Sequence, residues 1–296
     1  MRWVCCLFTF VACAGPSVAQ DMPLYKDILI ENEGWKPFYK DCKSVGGLAA
    51  APDGGLWISD LTGKQTIFVS AAGPGNKTHE LGSAPRGLFA GRNALFICLP
   101  EKKTVTSSVG DVLVKVVDGL EAHEVAVTSK GIKAAYVSVP SEGAIYFVGD
   151  EKPRKVAEGL KDPAGLVLWP DEGTLVVSEA RGQHLLTYRI EKDGSLAHRE
   201  GYYTLRKQTG TGALDVGGMT VDEKSRLYAC TAEGVQVFDP TGRLCGVLLK
   251  PREAPLTHVA LGGAKGDTLF VACGDEVFAR KIKPKGLPWK EKPKSP

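Results

Sequence analysis

The chain has 296 residues, 43% hydrophobic and 24% charged, with 35 glycines, 8 cysteines and a formal net charge of +3. That composition is globular, excludes collagen-like, low-complexity and disulfide-framework classes, and provides a sizeable core. The charge is unevenly placed. From Lys283 onward the sequence reads KPKGLPWKEKPKSP and carries +4; removing it and Arg2 from the total leaves −2 for the body. A nucleic-acid partner needs Lys/Arg clustered on structured elements beside stacking aromatics, and the body lacks that pattern, so no nucleic-acid partner is expected.

Residues 1–19 read as a signal peptide. Arg2 gives the positive end, Val4–Ala14 an apolar run too short to span a bilayer, and Ser17-Val18-Ala19 a small-residue cleavage site. Export with cleavage near Ala19 is the expectation; a lipoprotein at Cys13 is the alternative, with Phe10 a poor fit. Three cysteines leave with this segment, and Cys42, Cys98, Cys230, Cys245 and Cys273 remain. Cys98, Cys230 and Cys273 fall at matching places at the ends of second strands and read as small buried hydrophobes. A Cys230–Cys273 pair is the oxidised alternative.

Gln20–Lys43 is a lead-in, with Tyr25–Asn32 predicted as a strand and Trp35 and Phe38 as an aromatic pair. The repeats then begin. Gly47 opens GLAAAPDGGLWISD, Gly87 GLFAGRNALFIC and Val125 VAVTSKGIKAAYVSV; Gly165 opens GLVLWPDEGTLVVSE, Gly218 GMTVDEKSRLYACT and Val259 VALGGAKGDTLFVAC. Each unit sets two alternating apolar runs about a turn, which predicts an antiparallel hairpin. The starts are 40, 38, 40, 53 and 41 residues apart. A period of about 40 residues is that of four-stranded propeller blades. Third strands are predicted at Thr66–Ser70, Ala144–Val148, Leu185–Ile190 and Val235–Phe238, and fourth strands at Lys155–Glu158 and Cys245–Leu249. The long fourth interval is assigned to an excursion through Ser195–Asp215, with Arg206–Gly212 a loop. The fold class is all-β, a six-bladed β-propeller. Its single domain spans 20–282 and is closed by either Val277–Ile282 or the lead-in strand; 283–296 is a disordered Lys/Pro-rich tail.

The units GLAAAPDGGLWISD, PAGLVLWPDEGTLVVSEARGQHLLTYRIEKDGSL and VGGMTVDEKSRLYACTAEGVQVFDPTGRLCGVL resemble the senescence marker protein/gluconolactonase family, from about Val45 to Ala279. The resemblance implies a six-bladed propeller that hydrolyses sugar-acid or related lactones with one divalent metal, calcium or zinc, on its axis. It also implies a departure. The family's metal-binding Glu, Asn and Asp fall on Gly46, Ala164 and Gly217, which offer no side-chain donor, and its substrate-placing Asn-Asp pair falls on His123-Glu124. The family's metal is therefore not expected to bind in the family's way.

The residues left at the axis are Gly46, Arg86, His123/Glu124, Ala164, Gly217 and His258. Arg86 can fork onto an anion, and His123, Glu124 and His258 can form a transition-metal site. Asp60 and Glu179, ending WISD and VVSE, are either ligand carboxylates or caps on the next turn's amides. Asp215 is the one carboxylate near Gly217 that a loop shift can recruit. Three functions stay open: a lactonase with an altered site, a non-catalytic propeller binding a small anionic or sugar-like molecule in the axial funnel, and a protein-interaction propeller.

Overall fold

A computed structural model describes residues 23–71, 76–91, 93–149, 151–207 and 212–287. The leader, the Gly73–Gly75 part of the first long loop and the tail from 288 lie outside them. Six antiparallel four-stranded sheets are present. Numbered in chain order after a lead-in strand β1 (Lys36–Tyr39), blade one is β2 (Val45–Ala50), β3 (Leu56–Asp60), β4 (Gln65–Val69) and β5 (Lys77–Glu80). Blade two is β6 (Leu88–Ala90), β7 (Leu95–Leu99), β8 (Thr104–Val109) and β9 (Val112–Asp118). Blade three is β10 (Glu124–Thr128), β11 (Gly131–Val139), β12 (Ala144–Val148) and β13 (Arg154–Ala157). Blade four is β14 (Pro163–Leu168), β15 (Thr174–Glu179), β16 (His184–Ile190) and β17 (Leu196–Thr204). Blade five is β18 (Met219–Val221), β19 (Leu227–Thr231), β20 (Gly234–Phe238) and β21 (Leu244–Leu248). Blade six is β22 (Leu256–Gly262), β23 (Thr268–Cys273), β24 (Glu276–Lys281) and, outermost, β1.

Each blade's first strand touches the first strands of its neighbours, and β2 contacts β22, which closes the ring. The apolar side chains on the blade faces meet between blades. Ile58 and Ile67 of blade one, for example, share a cluster with Ala260 and Phe270 of blade six. The six-bladed propeller is therefore as expected, and the predicted third and fourth strands lie within one residue of those observed.

Three parts of the sequence reading change. The Ser195–Asp215 excursion contains β17, whose alternation is masked by a polar outer face; Leu196–Thr204 is exposed at six of nine positions. Tyr25–Asn32 is no strand, because Leu24–Ile28 forms a single π-helical turn that buries Leu24 and Ile28 together on blades five and six. The tail's first residues are not free. Leu29 bridges to Ile282 and Asp222 to Gly286, while Gly286 N donates to Gly266 O at 2.8 Å. The rest of the predicted tail, from 288, lies outside the described residues.

Ring closure rests on the lead-in. Lys36 and Pro37 pair with Ala279 and Phe278 of β24. Phe38 stands edge-on to Phe270 at 4.8 Å, and Trp35 Nε1 donates to Leu249 O at 2.8 Å.

Candidate functional site

Two layers of residues cross the axis where the first strands of the blades begin, here termed the leading end. The outer layer is Gly46, Arg86, His123, Ala164, Gly217 and Thr257. Strand pairing puts Gly47, Gly87, Glu124, Gly165, Gly218 and His258 one residue deeper, facing Ser59, Cys98, Ser138, Ser178, Cys230 and Ala272 on the second strands. His258 therefore lies a layer below Arg86 and His123, not level with them.

The outer layer tests the family's metal. A β-carbon at Gly46 would run into the Leu61 side chain, and one at Gly217 would run into the Thr257 carbonyl. At Gly217 the obstacle is backbone and leaves no room for a carboxylate, at Gly46 the Leu61 side chain would have to turn aside, and Ala164 supplies no side-chain oxygen. These residues do not fit the divalent ion that the resemblance implies. Arg86 is exposed at this end, with His123 half-buried beside it. Burial, then the Arg86 charge, pushes the His123 pKa down, against the opposing pull of Asp162 and Glu121. A neutral imidazole beside a guanidinium can receive an anion or a hydroxylated molecule.

The deeper layer is closed. Glu124 Oε2 and His258 Nε2 meet across the axis at 3.1 Å, and both side chains are about nine-tenths buried. Glu124 Oε1 accepts from Val125 N at 3.2 Å. Glycine makes the room: a β-carbon at Gly87 would strike the Glu124 carboxylate and one at Gly218 the His258 ring. Hydrogen bonds between blades fix this waist. Ser59 Oγ takes Gly47 N at 2.5 Å and donates to Arg86 O at 2.8 Å, and Ser178 Oγ likewise links Gly165 N to Gly217 O. Gly87 N donates to His123 O and Gly218 N to Thr257 O, at 2.8 and 2.9 Å. Gly218→Ala is expected to lower stability by about 1–3 kcal/mol in urea unfolding, because the ring must swing off Glu124. An unchanged midpoint would show that the layer is not packed as described.

The His123, Glu124 and His258 metal alternative is not assembled. Glu124 meets His258 alone, and among the described residues no three His, Cys, Asp or Glu side chains are grouped to hold a metal. Asp60 and Glu179 serve turns: Asp60 Oδ1 accepts from Gly63 N at 3.0 Å, and Glu179 Oε1 from Lys161 N at 2.6 Å. Asp215 is exposed, in a left-handed backbone at φ 45°. The five described cysteines are buried free thiols. Burial, helped by Asp60 and Asp41, pushes the Cys42 thiol up to about 12, far from a ready nucleophile. Cys98 and Cys230 occupy equivalent places, but Cys273 lies one residue further along. The register shift between Leu256 and His258 puts Cys273 opposite Leu256.

Below the Glu124–His258 pair a cavity of about 740 Å³ follows the axis toward the other, hairpin end. Its walls are the first strands of all six blades, and its far rim carries the β6–β7, β10–β11 and β14–β15 turns with Gly286 and Leu287. None of the outer-layer residues lines it. Sequence reading named both members of the pair but not this cavity, since only ring closure brings the far halves of six strands together.

Comparison with known proteins follows this geometry. Residues 46–274 match the model of the SMP-30/gluconolactonase/LRE-like region. A gluconolactonase of Zymomonas mobilis is 29% identical over 133 residues, a stretch covering 43% of this chain but only 37% of that protein. Among solved structures, a gluconolactonase of Xanthomonas campestris superposes with a TM-score of 0.73 at 20% identity, over 85% of this chain and 90% of that one. Regucalcin of Agrobacterium tumefaciens, a calcium-binding protein, gives 0.69 at 16%, over 85% and 93%. At those identities the two structures share a fold. The family match, covering most of the chain from blade one into blade six, is the stronger finding: the chain belongs to the SMP-30/gluconolactonase/LRE-like family.

Proposed function

We propose that this protein is an exported member of the gluconolactonase-like propellers that has given up the family's metal-dependent lactone hydrolysis and binds a small molecule at the leading end of its axis. The observation that carries this reading is the crowding at Gly46 and Gly217, where Leu61 and the Thr257 carbonyl occupy the space that metal-binding carboxylates need. A hard divalent ion requires several oxygen ligands around an open position. Glycine and alanine supply none. Arg86 and His123 are the groups left to recognise a ligand, and a guanidinium beside a neutral imidazole suits an anionic or sugar-like one. The short apolar leader and its Ser17-Val18-Ala19 site support export. No helix among the described residues is long and apolar enough to cross a membrane.

The test is elemental analysis and a lactone assay on purified protein beginning at Gln20, after incubation with calcium, zinc and manganese. Less than a tenth of an equivalent of metal (roughly the level of nonspecific carry-over) and glucono-δ-lactone hydrolysis no faster than buffer are expected. One retained equivalent, or hydrolysis above buffer that EDTA abolishes, would sink the proposal. Export is checked by N-terminal sequencing of the secreted form, expected to begin at Gln20.

A further inference from the structure

The cavity at the hairpin end is separated from the leading end by the closed layer of Gly47, Gly87, Glu124, Gly165, Gly218 and His258, so what binds there does not depend on the reading above. Its volume, about 740 Å³, is within the range of cavities that enclose drug-sized ligands. Most of the wall is aliphatic, and Phe89, Phe96 and Trp169 add aromatic faces.

The charges in the cavity are of one sign. Glu124 and Glu172 line it, and among the described residues no Lys or Arg does. Glu172 is engaged at the rim, where Ser129 N and Oγ each donate to it at 2.9 Å. Glu124, at the closed end, is less completely used. Its two oxygens accept from Val125 N and face His258 Nε2, which leaves two of a carboxylate's four lone-pair positions unfilled. His258 Nδ1 is also buried, with no hydrogen-bonding partner among the described residues. The closed end thus offers open carboxylate lone pairs to a donor. A buried acceptor without a donor is costly, and a buried carboxylate is best answered by a cation.

We propose that this cavity is a binding site for a predominantly apolar amine, whose ammonium group meets Glu124 while its apolar body fills the space toward Trp169. The aromatic faces on the cavity wall suit the same cation as it enters. A carboxylate-bearing ligand of the same shape is repelled. The axis therefore discriminates by charge on the two sides of this layer, with Arg86 on the leading side and Glu124 facing the cavity.

The test uses dansylcadaverine, a fluorescent apolar primary amine, and its acid counterpart dansyl-6-aminohexanoate, titrated into the full mature chain. Saturable, blue-shifted fluorescence is expected for the amine, with the acid weaker by roughly tenfold or more, the scale of one charge-assisted hydrogen bond. Glu124→Gln keeps an oxygen facing His258 and is expected to weaken the amine by a similar factor while leaving the acid unchanged. Thr220→Trp, which fills the cavity from the half-buried wall of β18, is expected to abolish binding of both. Circular dichroism melts establish that each variant is folded. Either variant is sufficient if the other fails to fold. Equal binding of amine and acid, no saturation of the amine below about 1 mM, or undiminished binding by a folded Thr220→Trp protein would each overturn the proposal.

Discussion

A chain starting at Lys40 is expected to lose the single cooperative unfolding transition of one starting at Gln20. The deletion removes β1, the only partner of β24's outer edge among the described residues; β24 lies some 240 positions later in sequence (Lys36 pairs with Ala279). With it go Leu24 and Ile28 from the cluster between blades five and six, Phe38 from Phe270, and Trp35 from Leu249 O and the Arg280 guanidinium. Four large apolar side chains stabilise by on the order of 5–10 kcal/mol gross, which is comparable with the whole stability of a typical domain. An exposed β24 edge also invites pairing with other chains. Circular dichroism melts and size-exclusion chromatography read both effects. A truncated chain that stays monomeric and melts within a few degrees of the longer one would refute closure by the lead-in.

Asp222→Ala is expected to destabilise by roughly 3–5 kcal/mol, the cost of breaking a buried ion pair from one side. Asp222 is fully buried at the end of β18. Its Oδ1 accepts from Lys224 N at 2.8 Å and Arg226 N at 3.0 Å, and its Oδ2 from Arg226 Nε at 2.8 Å and the Tyr228 hydroxyl at 3.0 Å. Burial, then the Asp222 charge, pushes the Tyr228 phenol far up, so that hydroxyl stays a donor. Alanine would leave the Arg226 charge buried with only a long contact from Nη1 to Asp27 O, at 3.4 Å. Asp222→Ala with Arg226→Leu is therefore expected to lose less than the single change, since no unpaired charge is left. Urea unfolding of both variants decides it. A single-variant loss under about 1 kcal/mol would mean the pair contributes no more than one on the surface.

What the sequence made legible follows from the range of the interactions. The hairpins are local, and alternation in runs such as Leu166/Leu168 and Leu175/Val177 is set by neighbours two residues apart; Leu166 and Leu168 face Val177 and Leu175 in the sheet. The lead-in misled because Ile28-Leu29-Ile30 fits a short buried strand as well as a helical turn. Only packing against blade five, where Leu24 crowds Gly246, selects the turn. At the site, the residues beside the axis were legible from the repeats, but their layer was not. The same register shift stands at the start of blades one, four and six, which sets His258 level with Gly47 and Gly165, and Cys273 level with Asp60 and Glu179. The Glu124–His258 contact joins residues 134 positions apart through ring geometry alone.

The crowding at Gly46 and Gly217 also bears on how this lineage can change. A single substitution toward a metal-binding carboxylate at either place meets an obstacle already in position: Leu61 at one, the backbone of Thr257 at the other. Each step back is destabilising before it confers anything, and the benefit arrives only when three separate blades have changed together. Leu61 would have to turn aside, and the Thr257 backbone would have to shift. On the proposed reading, the loss of the family's metal chemistry thus works as a ratchet. Laboratory reversion of Gly46→Glu, Ala164→Asn and Gly217→Asp together is the wrong starting point for restoring hydrolysis, and a library that first varies Leu61 and Thr257 is the right one.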